Sequence, residues 1–349
     1  MRKIVLIGLA LWCYGLNAQD TVKVKTNLTP AQEAENAYNQ GLEFMNQKNP
    51  TLAIEHFSKA ISLNPAFDKA YCNRGFAKFE SKNYEGSLDD YNKALAIQSL
   101  YTDALFGKAQ TFYALHKTDS ALSYLNKTTL VDESYAKAYY LAGQLKFESG
   151  EYKEAIAEYD KAIAARLDYA YAYNDRASAK KQLGDETGAI ADYEKAVTID
   201  PKLYFAYNNL GSCKRNKGDQ TGAIDAYNKA LSLKPDYYLA LNNRGSAKLN
   251  NNDINGAIAD FDAALRQKAD YVLAMNNMAS AYIKKKDYKA AEDWINKAIK
   301  ADAKAGAAYL NRGIIRQMQN NEEGACADWK KAAELGVPEG KRYASGLCD

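Results

Sequence analysis

The chain has 349 residues, with 46 Lys and Arg against 43 Asp and Glu, 27 tyrosines and only 6 prolines. The near balance of charge excludes the basic field that tracks a phosphate backbone, so nucleic acid is not an expected partner. Scarce proline beside abundant Ala, Lys, Asn and Tyr suits amphipathic helices and points to an all-α protein.

Residues 1–18 read as a secretory signal peptide, with cations at Arg2 and Lys3, an apolar stretch from Ile4 to about Tyr14, and small residues ending at Ala18. The apolar stretch is too short to span a bilayer. A lipid anchor on Cys13 is the rival reading, against which Trp12 stands where a lipoprotein signal has a small residue. An exported bacterial protein is expected, in the periplasm, associated with the outer membrane, or extracellular. Beyond residue 20 no run approaches 18 consecutive apolar residues, so no transmembrane segment is expected in the mature form.

Residues 19–33 form an N-terminal segment and the start of a helix. Thr29, Pro30 and Gln32 read as an N-cap, a first-turn proline and a capping-box partner. From 34 to 339 the sequence repeats every 34 residues without insertion or deletion, giving nine repeats that begin at 34, 68, 102, 136, 170, 204, 238, 272 and 306. Position 8 of each is Gly or Ala (Gly41, Gly75, Ala109 and onwards), position 20 is Ala except for Ser87, and position 27 is Ala except for Thr128. Position 24 is large in every repeat, from Phe57 and Tyr91 to Ile295 and Trp329. Small residues at fixed phase let helix axes approach closely while large ones fill the space around them. The spacing predicts two helices per repeat, over positions 1 to 14 and 17 to 31, parted by turns near Gly150, Gly184 and Gly218. One pair cannot bury its own face, so stacking of neighbours has to supply the core. Residues 340–349 read as a short capping helix, with Tyr343 on position 4 of a truncated tenth repeat.

This pattern resembles the tetratricopeptide repeat family, which places Trp or Tyr, Leu, Gly, Tyr, Ala, Phe, Ala and Pro at positions 4, 7, 8, 11, 20, 24, 27 and 32. Proline at position 32 survives only at Pro65, Pro201 and Pro235, and position 11 is mostly Lys or Arg, whose stem can lie along an apolar surface. The third repeat, with Leu105, Leu125 and Thr128, is the loosest match. The resemblance implies a right-handed α-solenoid whose concave groove is lined by the first helix of each repeat.

Groove position 6 holds Asn39, Asn73, Gly107, Leu141, Asp175, Asn209, Asn243, Asn277 and Asn311. The row resembles the asparagine ladder in the tetratricopeptide superhelix of O-GlcNAc transferase. An Asn amide both donates and accepts, so it can pair with the backbone of an extended peptide whatever its sequence; the plain alternative is a polar residue on a wet helix face. Position 2 is Tyr171, Phe205, Leu239 and Leu273 in the fifth to eighth repeats, and position 9 is Ser178, Ser212, Ser246 and Ser280. An apolar wall beside an amide row marks a protein or peptide partner, or else packs on the adjoining repeat. On this reading the ladder serves the partner, and its loss leaves stability nearly unchanged.

Wherever position 7 is Arg (Arg74, Arg176, Arg244, Arg312), position 23 of the same repeat is Asp (Asp90, Asp192, Asp260, Asp328), and no other repeat has Asp there. A structural pair joining the two helices of a repeat is expected. No metal spacing, no cofactor motif and no catalytic constellation stand out; the two histidines, His56 and His116, fall in different repeats. Cys326 and Cys348 are expected to pair in an oxidising compartment, whereas Cys72 and Cys213, four repeats apart, are expected to be buried thiols. The sequence thus predicts a non-enzymatic scaffold or adaptor holding an extended segment of a partner in its groove. The alternative is a structural subunit of a cell-envelope assembly that uses its convex face and ends.

Overall fold

A computed structural model describes residues 28–348. The expected signal peptide, Cys13, and residues 19–27 of the N-terminal segment lie outside the described residues. Among those described, the structure is all-α, an α-solenoid of nineteen helices with no strand. The first helices of the repeats are α1 (Pro30–Asn46), α3 (Asp68–Glu80), α5 (Thr102–Ala114), α7 (Ala136–Glu148), α9 (Ala170–Gln182), α11 (Tyr204–Asn216), α13 (Tyr238–Asn250), α15 (Val272–Lys284) and α17 (Gly306–Met318). The second helices are α2 (Pro50–Leu63), α4 (Tyr84–Ile97), α6 (Thr118–Val131), α8 (Tyr152–Ala165), α10 (Glu186–Ile199), α12 (Gln220–Leu233), α14 (Ile254–Gln267), α16 (Tyr288–Ala301) and α18 (Glu322–Glu334), and α19 (Pro338–Leu347) follows them. The chain divides into two compact units after Gly107, inside α5. In the first, α1 packs on α2, α2 on α3 and α3 on α4; in the second, α6 through α19 each pack on the next.

The helices start and stop for local reasons. Thr29 accepts from the backbone N–H of Gln32 while the Gln32 side chain accepts from the backbone N–H of Thr29, a complete capping box at the head of α1. At position 15 the backbone turns left-handed in every repeat, with φ between 56° and 85°, at Lys48, Lys82, His116, Gly150, Gly184, Gly218, Asn252, Lys286 and Asn320. That residue ends the first helix. The next residue caps the second: Asn49, Asn83, Asp185, Asp219, Asp253, Asp287 and Asn321 each accept from the backbone N–H three residues on. Side-chain capping at a fixed place sets the phase of seven of the nine second helices, while α6 and α8 start at Lys117 and Glu151 without a side-chain cap bond.

Within a repeat, position 8 lies under the ring at position 24. A Cβ added at Gly245 would stand 2.6 Å from Phe261 Cε1, and one at Gly211 would stand 2.7 Å from Tyr227 Cε1. Phe57, Tyr91, Tyr159, Tyr193, Tyr227, Phe261 and Trp329 are buried almost completely, as are the alanines at positions 20 and 27. The largest continuous core runs from Ala230 to Ile315 and is filled by Phe261, Met275, Met278 and Ile295. At the C-terminal end α19 covers α18: Tyr343 stacks on Trp329 at 5.0 Å between ring centroids. Cys326 and Cys348, 22 residues apart, have their Cα atoms 5.5 Å apart, a separation that a disulfide spans.

Candidate binding groove

Residues at positions 2, 6, 9 and 13 are separated by four, three and four residues, so they share one stripe along each first helix. In α9 that stripe carries Tyr171, Asp175 and Ser178; in α11, Phe205, Asn209 and Ser212; in α13, Leu239, Asn243 and Ser246; in α15, Leu273, Asn277 and Ser280. Tyr171 and Leu273 are exposed by 47% and 57%, a large apolar area left in water, while Phe205 and Leu239 are half-buried. The Tyr171 and Phe205 rings meet at 5.9 Å, so the wall is continuous from the fifth repeat to the sixth.

The amide row is more deeply tied into the fold than the sequence suggests. Asn243 Nδ2 donates to Asn208 Oδ1 at 3.0 Å, Asn277 Nδ2 to Asn242 Oδ1 at 2.9 Å, and Asn311 Nδ2 to Asn276 Oδ1 at 2.9 Å. Asn209 Nδ2 reaches Asn174 Oδ1 at a longer 3.4 Å. The same step links Asn73 Nδ2 to the Tyr38 hydroxyl at 3.0 Å, and the Tyr140 hydroxyl donates to Asp175 Oδ2 at 2.7 Å. Each bond joins position 5 of one repeat to position 6 of the next. The ladder residues are therefore rungs between repeats, and the expectation that they leave stability alone is corrected: Asn174, Asn208 and Asn242 are buried, and a buried acceptor stripped of its donor is costly. Asn39, in the first repeat, is exposed. Asn209 and Asn243 donate once each and keep a second N–H for a ligand, whereas Asn73, Asn277 and Asn311 spend their second on Lys69 O, Ser246 Oγ and Ser280 Oγ besides the rung bond. Position 5 was the missing signal, because a hydrogen-bonding side chain stands there one repeat ahead of each bonded rung residue.

The serines are likewise engaged rather than merely small. Ser178 Oγ lies 2.9 Å from the Tyr193 hydroxyl, and Ser246 and Ser280 donate to the backbone carbonyls of Asn242 and Asn276 while accepting from Asn277 and Asn311. Asp175, the one acidic rung, also accepts from Asn174 Nδ2 at 2.8 Å. Burial holds its carboxyl above the usual carboxylate range, against the opposing pull of the Tyr140 and Asn174 hydrogen bonds.

The structure brings all four Arg–Asp pairs together. Arg74 on Asp90, Arg176 on Asp192, Arg244 on Asp260 and Arg312 on Asp328 are bidentate, with Nε and Nη2 each 2.6–2.9 Å from a carboxylate oxygen. Two further partners escaped the sequence analysis. The cation at position 11 (Lys78, Lys180, Lys248, Arg316) reaches the same Asp at 2.7–2.9 Å, so its head is paired and its stem is not simply lying on the surface. Each Arg Nη1 also donates to position 25 of the preceding repeat, at Ser58, Asp160, Asn228 and Asn296. The co-occurrence of a cation at position 11 with every Asp at position 23 carried that signal. Burial pulls the Arg176 guanidinium down, but its bonds to Asp192 and Asp160 outweigh this and raise it.

Cys72 and Cys213 are buried thiols, each pushed up to about 12 by burial and so far from a reactive thiolate. Among the described residues no group of three or more His, Cys, Asp or Glu is arranged to hold a metal ion, and no helix is long and apolar enough to cross a membrane.

Stacked helix pairs with one wet, partly apolar stripe define a helical-repeat module. Sequence models of the Tetratricopeptide repeat match residues 34–67, 68–99, 106–166, 140–204, 204–237 and 242–308, and the chain belongs to that family. Proteins of the family generally mediate protein–protein interactions. The fold is shared with the Cut9–Hcn1 hetero-tetramer of APC/C (TM-score 0.58, 15% identity, 93% of this chain and 78% of that one). It is shared also with a tetratricopeptide repeat protein from Parabacteroides merdae (0.51, 18%, 72% and 99%) and with Pseudomonas aeruginosa pilF (0.52, 19%, 61% and 98%). No curated protein matches the sequence.

Proposed function

We propose that the protein is a non-enzymatic adaptor, exported by residues 1–18, that holds an extended segment of a partner protein along the first helices of the fifth to eighth repeats. The observation that carries this reading is the apolar row at Tyr171, Phe205, Leu239 and Leu273, left half-buried or exposed beside the Asn209 and Asn243 amides, each of which keeps one N–H to spare. Alternate side chains of an extended segment would pack on the wall while its backbone meets the amides.

A photo-crosslinking residue placed at Tyr171 or Leu273 in the native cell is expected to capture a discrete partner that mass spectrometry identifies. The control position is Lys229, exposed on the second helix α12. Capture at Lys229 alone sinks the groove reading in favour of an assembly subunit working through its outer face.

A further inference from the structure

Where the fourth repeat meets the fifth, the first-helix face sinks into a pocket of about 170 Å³ lined by Gln144, Phe147, Glu148, Tyr159, Asp175 and Ser178. Asp175 and Ser178 lie one and two turns along α9 from Tyr171, so the pocket is the continuation of the apolar wall toward the fourth repeat. Its character differs from that of the wall. Two carboxylates stand in the lining with no basic side chain among them. Their donors are neutral: Tyr140 and Asn174 serve Asp175, and the Tyr113 hydroxyl donates to Glu148 Oε1 at 2.6 Å. The position held by Asp175 is a neutral Asn in each of the next four repeats, so the fold's own bonding does not require the charge. A partly buried carboxylate served only by neutral donors is disfavoured by desolvation, and a cation brought alongside relieves that. The partly exposed Phe147 ring adds surface that attracts ammonium or guanidinium groups, with the buried Tyr159 behind it as an apolar back wall.

The geometry points to this pocket as the seat of one Lys or Arg side chain of the bound segment, whose neighbouring apolar residues then lie on Tyr171 and Phe205. The inference rests on the groove reading and narrows it to a partner segment that carries a basic residue next to apolar ones.

The test uses the mature chain and fluorescein-labelled dodecapeptide pools, with one central residue fixed as Lys, Arg, Gln or Glu and the flanks mixed from Leu, Tyr, Ala, Asn and Ser, read by fluorescence anisotropy. The Lys and Arg pools are expected to bind about ten-fold tighter than the Gln pool, as suits a charge-assisted contact, and the Glu pool most weakly. In Asp175→Asn/Glu148→Gln the Lys and Gln pools should bind alike; Asn is already the rung residue of the neighbouring repeats, so that part of the change suits the fold. Equal binding of all pools by the unmodified chain, or a Lys preference that persists in the double variant, overturns this inference and leaves the groove reading standing. Absence of binding by every pool overturns both.

Discussion

Several side chains of this protein bond across the boundary between one repeat and the next. Asn243 is the clearest case, since its amide holds the buried Asn208 oxygen of the repeat before it. Asn243→Ala is expected to lower stability by about 1–3 kcal/mol, the range for leaving a buried acceptor without its donor, as read from urea denaturation. An unchanged midpoint would mean that water replaces the amide. Asp175 gives the pH-dependent counterpart. Its folded-state carboxyl lies above the unfolded value, so the folded state binds the proton more tightly and stability falls as pH rises from the unfolded value through the folded one. The penalty is complete above the folded value and absent below the unfolded one. Asp175→Asn should therefore raise the melting temperature at neutral pH, with the advantage shrinking as pH is lowered below the ordinary carboxylate range. An advantage that grows with acid would contradict the assigned direction. The sequence showed Asn and Asp recurring at position 6 but not what they bond. The partner is 35 residues upstream on another helix, and only the packing angle between repeats decides whether it comes within reach.

At the level of the helix pair, the Arg–Asp clamps were legible because the repeats served as comparisons for one another. Their third and fourth members were not, since a surface Lys has many ways to be solvated and only the fold selects one. Asp260 is 6% exposed at its side chain and takes both Arg244 and Lys248. A double-mutant cycle on Arg244 and Asp260 should return a coupling of roughly 1–3 kcal/mol, above that of exposed pairs. Replacing Lys248 by Met first should increase that coupling, because the carboxylate then has one cation left. A coupling near zero in both backgrounds would mark the clamp as incidental. The C-terminal pair calls for a different measurement. α19 has ten residues, too few to hold as a helix in water alone, and rests on stacking of Tyr343 over Trp329. A bridge closing the loop between Cys326 and Cys348 stabilises its docking by about 3 kcal/mol on the chain-entropy model. Intact mass of the protein purified from its own cells without reductant should show two extra alkylations only after reduction, and labelling of both thiols without reductant would rule the bridge out.

Across the whole chain the period of 34 made the helices and their order readable from composition and phase alone. The sequence also shows which two repeats lack a hydrogen-bonding side chain at position 6, those with Gly107 and Leu141. Repeat arrays open locally where the coupling between neighbours is weakest. Backbone amides of α7 are therefore expected to exchange with deuterium at least several-fold faster than those of α13 and α15, which sit in the largest core and carry an Asn–Asn rung on both sides. Uniform protection along the chain would show that apolar packing alone sets the local stability.

The rungs at Asn174–Asn209, Asn208–Asn243, Asn242–Asn277 and Asn276–Asn311 are chemically the same joint four times over. Excising residues 238–271 would place Asn277 one period closer to Asn208, at the spacing and with the partner that Asn243 now has. Gene duplication or loss of a whole repeat in this stretch thus creates no mismatched seam. The length of the array, and with it the length of segment it can hold, is free to change by recombination without any compensating substitution at the rungs.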